Sequence, residues 1–398
     1  MFSEKIQKLA DEAESVLTDR FRSADMISYK NTEKVMNAFR THRVSEAMFM
    51  PSSGYGYDDK GRDTLDLIYA DVFGTEAAFV RHNIVSGTHA LTIALFALLR
   101  PNDTMLSITG KPYDTLDEVI SGTGGSLREF GVNYSQTELG GDFISVIDDN
   151  TKVVFIQRSK GYMNRRTLSV AEINDMIKAV KAKKNDVFVI VDNCYGEFVE
   201  ETEPNGDLLV GSLIKNPGGG MAECGGYLAG TAHAIELAGY RLTSPGIGTE
   251  CGASLGQTKS MYKGLFFSPH VVAQALKTSM FASYIFEKLG FEVEPQWNGF
   301  RGDIIQAVKL LTRENLCAFC KGIQMGSPVD SFVTPEPWAM PGYSDEVIMA
   351  AGTFTQGASI ELSADGPMRP PYTAFFQGGL TYESGKIGIL SAVKEILS

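Results

Sequence analysis

Two residues at the ends of apolar runs set the chemistry this sequence can do. Asp192 closes V-F-V-I-V-D, so in a parallel sheet its carboxylate would stand at the carboxyl edge, where open α/β sheets bind ligands. Lys215 follows in G-S-L-I-K-N-P-G-G-G, at the end of the next apolar run. A free lysine, with a pKa near ~10.4, is less than about 0.1% neutral at pH 7, and deprotonating it costs roughly 4–5 kcal/mol. Holding the nitrogen as an imine on a carbonyl group avoids that cost, the usual employment of such a lysine. Pro217 and the glycines Gly218 to Gly220 leave no bulky side chain beside it.

Three further features fall on strand ends or close to them. Ser212 offers a hydroxyl three residues before Lys215. Ser86-Gly87-Thr88 joins an apolar strand to a helix, which aims free N–H groups and a positive dipole end at a prospective phosphate. The dipole supplies only about 0.3–2 kcal/mol, so the N–H bonds must do much of the holding. Tyr113, just past another strand, presents a flat ring for stacking. Singly, each has a bland reading: a turn aspartate, a surface lysine, a helix cap, a packed tyrosine. In this order they form a phosphate seat, a stacking ring, an acid for a pyridinium nitrogen and a lysine. That conjunction marks pyridoxal 5'-phosphate (PLP) enzymes of fold type I.

The elements that must position these residues are legible as alternating patterns. Apolar strands are expected at Ala78–Ile84, Met105–Thr109, Val153–Gln157, Val187–Asp192, Leu208–Leu213 and Tyr227–Thr231, with helices between, notably Ala90–Arg100 and Val170–Lys183. This predicts an α/β fold with a mainly parallel central sheet covered on both faces. Residues 1–63 read as an arm of two helical patterns and a Gly- and Tyr-rich loop, and residues 64–245 as the large domain. Residues 246–398 read as a smaller C-terminal α+β domain. Here 242–267 is expected to be an irregular crossing, followed by a helix Pro269–Leu289, strands Ile304–Leu310, Val347–Thr353 and Ser359–Leu362, and a last helix Ser384–Leu397.

Composition narrows the partners. The chain has 398 residues, 43% hydrophobic, and a net charge of −12. That balance argues against nucleic acid and membrane surfaces as partners. No apolar run approaches the roughly 18 residues that span a bilayer. The first seventeen residues lack an apolar signal core, and five irregularly spaced cysteines suggest no disulfide framework, so a cytoplasmic address is expected. Cys317 and Cys320 form a lone C-x-x-C in a helical pattern and read as packing.

Across nearly its whole length the sequence resembles the methionine gamma-lyase family of PLP enzymes, in the aluminium resistance protein or cystathionine beta-lyase-like branch. The resemblance is carried by S-S-G-Y-G-Y-D-D-K-G-R (52–62), V-S-G-T-H-A-L (85–91), G-K-P-Y-D-T-L-D-E-V-I (110–120), Q-R-S-K-G-Y (157–162), V-D-N-C-Y-G-E-F (191–198), G-S-L-I-K-N-P-G-G-G (211–220) and G-L-F-F-S-P-H-V-V (264–272). It implies a homodimer or homotetramer with shared sites, in which Tyr57 and Arg62 reach the cofactor phosphate of the neighbouring subunit. It also implies an arginine for the substrate carboxylate: Arg369, with Arg158 as its competitor. The implied reaction is β- or γ-elimination on a sulfur-containing amino acid. Lys215 would move the Cα proton, Asp192 would hold the pyridinium, and Tyr113 or Lys215 would protonate the leaving group. Aldol cleavage, transamination, desulfuration, or a PLP-binding protein with little turnover remain as alternatives.

Overall fold

The computed structural model describes residues 2–163 and 165–398. Met1, at the head of the expected N-terminal amphipathic segment, lies outside them. The arm is a single helix, α1 (Glu4–Thr41, 38 residues), rather than two. No glycine or proline interrupts that stretch, so nothing breaks the hydrogen-bond ladder. Ser3 caps it by accepting from the Ile6 N–H. Ile6, Ala10, Ala13 and Leu17 form its buried stripe. Helix α2 (Lys60–Phe73) starts inside the segment read as a loop: Asp59 caps it, and Gly74 ends it in the left-handed conformation (φ +68°).

Next come β1 (Ala77–Arg81), α3 (Gly87–Leu98), β2 (Thr104–Ser107), α4 (Asp114–Ser121), β3 (Asn133–Gln136) and β4 (Thr151–Gln157). After them lie α5 (Val170–Lys183), β5 (Phe188–Asp192), β6 (Leu208–Ser212), β7 (Gly226–Gly230) and α6 (Ala232–Leu242). The seven strands form one sheet in the order β1-β7-β6-β5-β4-β2-β3. Six run one way; β7 alone runs against its neighbours β1 and β6. The reason is local: residues 213–225 return the chain directly, and only a crossover helix would restore the parallel sense. The apolar run ending at Asp192 is buried at four of the five positions of β5, as a strand covered on both faces must be.

Helix α7 (Thr258–Lys288) begins eleven residues before its expected start and carries Pro269 inside it. Proline often opens a helix, which is why the sequence places the start there. Here tertiary burial keeps the helix continuous through it, with Ser268 Oγ bonded to the Gly264 carbonyl. α7 packs against α1, against the turn that follows Lys215, and against the second sheet. That sheet comprises β8 (Glu292–Glu294), β9 (Gln306–Lys309), β10 (Val347–Ala350), β11 (Leu362–Pro367) and β12 (Thr373–Gly378), ordered β10-β11-β12-β9-β8 and antiparallel throughout. Helices α8 (Arg313–Met325) and α9 (Tyr382–Leu397) pack together beside it. Cys317 and Cys320 lie on α8 as free thiols, the second buried. Strand β11 starts where the expected strand Ser359–Leu362 ends, and β12 is not legible as a strand. Both contain residues depleted in strands, such as Asp365, Gly366 and Gly378, and only the cross-strand ladder holds them extended.

Candidate active site

The ends of β4, β5 and β6 and the start of α3 converge on a cavity of about 220 Å³. Ser86, Gly87, Thr88, Tyr113, Asp192, Ser212 and Lys215 all line it. Thus residues from well-separated stretches of the chain meet at one carboxyl edge.

At the head of α3, Ser86 Oγ accepts from the His89 N–H at 3.0 Å, which leaves the Gly87 and Thr88 N–H groups facing outward. Gly87 is needed for the approach: a Cβ there would lie 3.3 Å from Cys194 Sγ and 3.5 Å from Ser212 Cβ. The three elements therefore form a narrow cradle, chemically suited to a phosphate. Asp192 is buried, and its Oδ1 accepts from the Cys194 N–H at 3.1 Å. Burial pushes its carboxyl above the usual range, opposed by Lys215 and by Cys194. Cys194 lies in the site, but burial and Asp192 push its thiol well up, which disfavours the reactive thiolate.

Lys215 Nζ sits 4.0 Å from the centroid of the Tyr195 ring. Burial pulls its ammonium down; Tyr195, Cys194 and Asp192 outweigh that pull and leave the free amine above its ordinary value. Tyr113 is anchored through its N–H to Gln157 Oε1 at 2.7 Å, and its hydroxyl meets that of Tyr343 at 2.6 Å. Burial first, then Asp365 and Tyr343, raise its phenol well above the ordinary value.

The glycines after Lys215 act differently from the sequence expectation. They do not clear space for the lysine; they let the turn touch other backbone. A Cβ on Gly218 would fall 1.6 Å from the Leu213 carbonyl oxygen, and one on Gly219 would fall 2.5 Å from that of Gly264 in α7. Gly218→Ala should therefore cost about 1–3 kcal/mol and displace Lys215. Urea midpoint and cofactor occupancy, measured together, check this; both unchanged would refute it.

Neither arginine expected to meet the substrate carboxylate lines the cavity, and Arg62, expected to reach a neighbouring subunit's phosphate, is bonded within its own chain. Arg158 is fully buried, and its guanidinium is spent on Asn193, Glu200 and Glu203 at 2.9–3.2 Å. Arg369 is paired with Asp345 and lines a neighbouring cleft with Lys160, Arg165 and Lys309, beyond a wall formed by Tyr162 and Phe375. Arg62 is buried in α2, donating to the carbonyls of Gly56, Gly252 and Glu250 and to Asp63. It ties the 52–59 loop to residues 250–252. Tyr57 is 58% exposed, its ring stacked on Tyr55 at 5.7 Å, and it too stands outside the cavity of its own chain.

Tyr162, Tyr195, Tyr343 and Asp365 also line the cavity, and sequence reasoning gave them no role. Tyr162 ends the Q-R-S-K-G-Y stretch, and Tyr195 follows Asp192 closely in a left-handed turn (φ +70°), so both lay near recognisable motifs. Tyr343 and Asp365 lie far along the chain and carry no local signal.

A methionine gamma-lyase profile matches residues 6–397. The chain belongs to the methionine gamma-lyase family. This is a PLP-dependent family, and the α/β architecture with a large central sheet and a separate antiparallel sheet is that of fold type I enzymes. The chain is 53% identical to the protein YnbB of Bacillus subtilis over 408 residues, covering 99% of this chain and 97% of that one. A solved structure from Clostridium novyi NT, a carbon-sulfur lyase involved in aluminum resistance, is 50% identical with a TM-score of 0.95, covering 99% of this chain and 96% of that one. A Campylobacter jejuni chain carrying an N'-pyridoxyl-lysine-5'-monophosphate shares the fold at 16% identity and a TM-score of 0.59, over 85% of this chain and 86% of that one.

Proposed function

We propose that this methionine gamma-lyase family member is a PLP-dependent carbon–sulfur lyase that eliminates a thiol from the β- or γ-carbon of a sulfur-containing amino acid. The carrying observation is the single cavity that unites Lys215, Asp192, Tyr113 and the head of α3. The donor set fits PLP: a lysine amine, a buried carboxylate, an aromatic ring, and N–H groups beside two serine hydroxyls. Bound PLP supplies an electron sink for negative charge at the substrate Cα.

The chain's own residues do the rest. Gly87 and Thr88 N–H groups, with Ser86 and Ser212, take the phosphate. Asp192 holds a proton at the pyridine nitrogen, because an opposite charge within about 4–6 Å favours the charged form. Tyr113 stacks on the ring. Lys215 Nζ removes the Cα proton, and either it or Tyr113 Oη delivers a proton to the departing sulfur. Incubating PLP-loaded protein with a panel of thioether amino acids should release thiol steadily, with keto acid and ammonia from hydrolysis of the unsaturated product. Bound PLP with no release from any of them would overturn the proposal.

The protein is also proposed to work in the cytoplasm as a dimer, or a tetramer of dimers, with Tyr57 reaching the partner's phosphate site. Support comes from the exposed, mutually stacked Tyr55 and Tyr57 and from the rigid Arg62 anchor beneath them. Mixing Tyr57→Phe subunits with Lys215→Ala subunits should restore activity in mixed dimers, which carry one site with both residues intact. Exchanged, folded mixtures that stay inactive would exclude a shared site.

A further inference from the structure

Asp365 has no part in the steps above, yet it stands in the cavity wall on β11, only 5% exposed. Tyr162 Oη donates to its Oδ2 at 2.7 Å, and no described side chain bonds its Oδ1. Around it the rings form a box: Tyr113 to Tyr162 is 5.4 Å between centroids, Tyr162 to Tyr343 6.0 Å, and Tyr162 to Phe375 4.9 Å. Among the described residues lining this cavity, Lys215 is the only cation, while Asp192 and Asp365 are both carboxylates. Among the described residues no lysine, arginine or histidine forms an ion pair with Asp365, and the Tyr162 hydroxyl is its side-chain partner.

A buried carboxylate is costly until a cation or hydrogen-bond donor meets it. Aromatic faces add attraction for a cation, as Lys215 over Tyr195 already illustrates. A substrate tail ending in a carboxylate would instead meet like charge. We propose that Asp365 determines specificity by seating a protonated amine, or a comparable cationic N–H donor, on the leaving group of the substrate, between Tyr113, Tyr162 and Phe375. The proposal rests on the lyase reading and deepens it by naming the substrate class. Burial pushes the Asp365 carboxyl up to about 6, opposed by Tyr162 and Lys215, so a cation seated beside it would favour its ionised form.

The test uses three cysteine thioethers that differ at the tail: S-(2-aminoethyl)-cysteine, its neutral isostere S-propyl-cysteine, and S-carboxymethyl-cysteine. Rapid mixing with PLP-loaded protein gives dissociation constants from the cofactor's absorbance change, and thiol release is followed in parallel. The aminoethyl compound should bind about ten- to a hundredfold more tightly than the propyl compound, the worth of a charge-assisted hydrogen bond, with the carboxymethyl compound weakest. In Asp365→Asn the aminoethyl-to-propyl ratio should fall towards one, whatever happens to absolute affinity. The wild-type ranking needs no variant, so a misfolded Asp365→Asn cannot shield the proposal. Equal or tighter binding of the propyl compound by wild type overturns it, as does failure of the aminoethyl compound to bind or a ratio unchanged in the variant. Charge-ordered binding without thiol release would remove the lyase reading and keep this assignment. Thiol release with no preference for charge would do the reverse.

Discussion

Lys215→Ala should yield a folded protein that forms no reducible link to PLP and loses at least about four orders of magnitude in elimination rate, equivalent to about 5.5 kcal/mol. In the unsubstituted protein, borohydride reduction and peptide mapping should place the pyridoxyl mass on the Lys215 peptide. The instructive competitor is Lys160. Burial pulls its ammonium down to about 8, opposed by Asp303 and Glu294, so it is the more readily deprotonated amine of the two. Its Nζ, however, donates to the Glu294 carbonyl at 2.8 Å and faces the neighbouring cleft. Position should therefore outweigh amine acidity. A covalently attached nitrogen at Lys215 keeps a positive charge where Asp192 and the Tyr195 ring already favour one. Labelling at Lys160, or at the exposed Lys111 paired with Asp117, would show that the cavity is misassigned.

Asp192→Asn is expected to keep most of its bound PLP while kcat for elimination drops about a thousandfold, or about 4 kcal/mol. The substituted amide still offers Oδ1 to the Cys194 N–H, so the turn at residues 193–196 should hold. On the proposed role of Asp192, what would disappear is the charge that keeps the pyridine nitrogen protonated, and only the protonated ring withdraws electrons strongly. The loss should thus fall on proton removal from Cα and spare cofactor capture. Asp192→Glu, which moves the charge by one methylene, should lie between the two. Measuring kcat beside PLP occupancy decides it: near-normal elimination with full occupancy would reduce Asp192 to a strand-end cap.

Asp192, Lys215, Ser86, Gly87, Thr88, Ser212 and Tyr113 were readable from the sequence because their positions are encoded locally. A short apolar run specifies a buried strand, and the polar residue that ends it must sit at the sheet edge. The same logic gave the α/β class and all six expected strands of the large sheet, each overlapping an observed one, while the weak edge strand β3, with three of four residues exposed, left no apolar signal. The arginines could not be read that way. A guanidinium goes where five donors find acceptors, and those acceptors are distant in sequence: Gly252 and Glu250 for Arg62, Glu200 and Glu203 for Arg158. Continuity of α7 through Pro269 was likewise set by burial against partners that no local pattern shows. Tyr343 and Asp365 came to the cavity only because the second sheet folds beside the first. The residues proposed to hold the cofactor were thus placed by short-range pattern, and the cavity-wall residues proposed to select the substrate were placed by tertiary contact, since strand ends are a local property of a chain and a cavity wall is not.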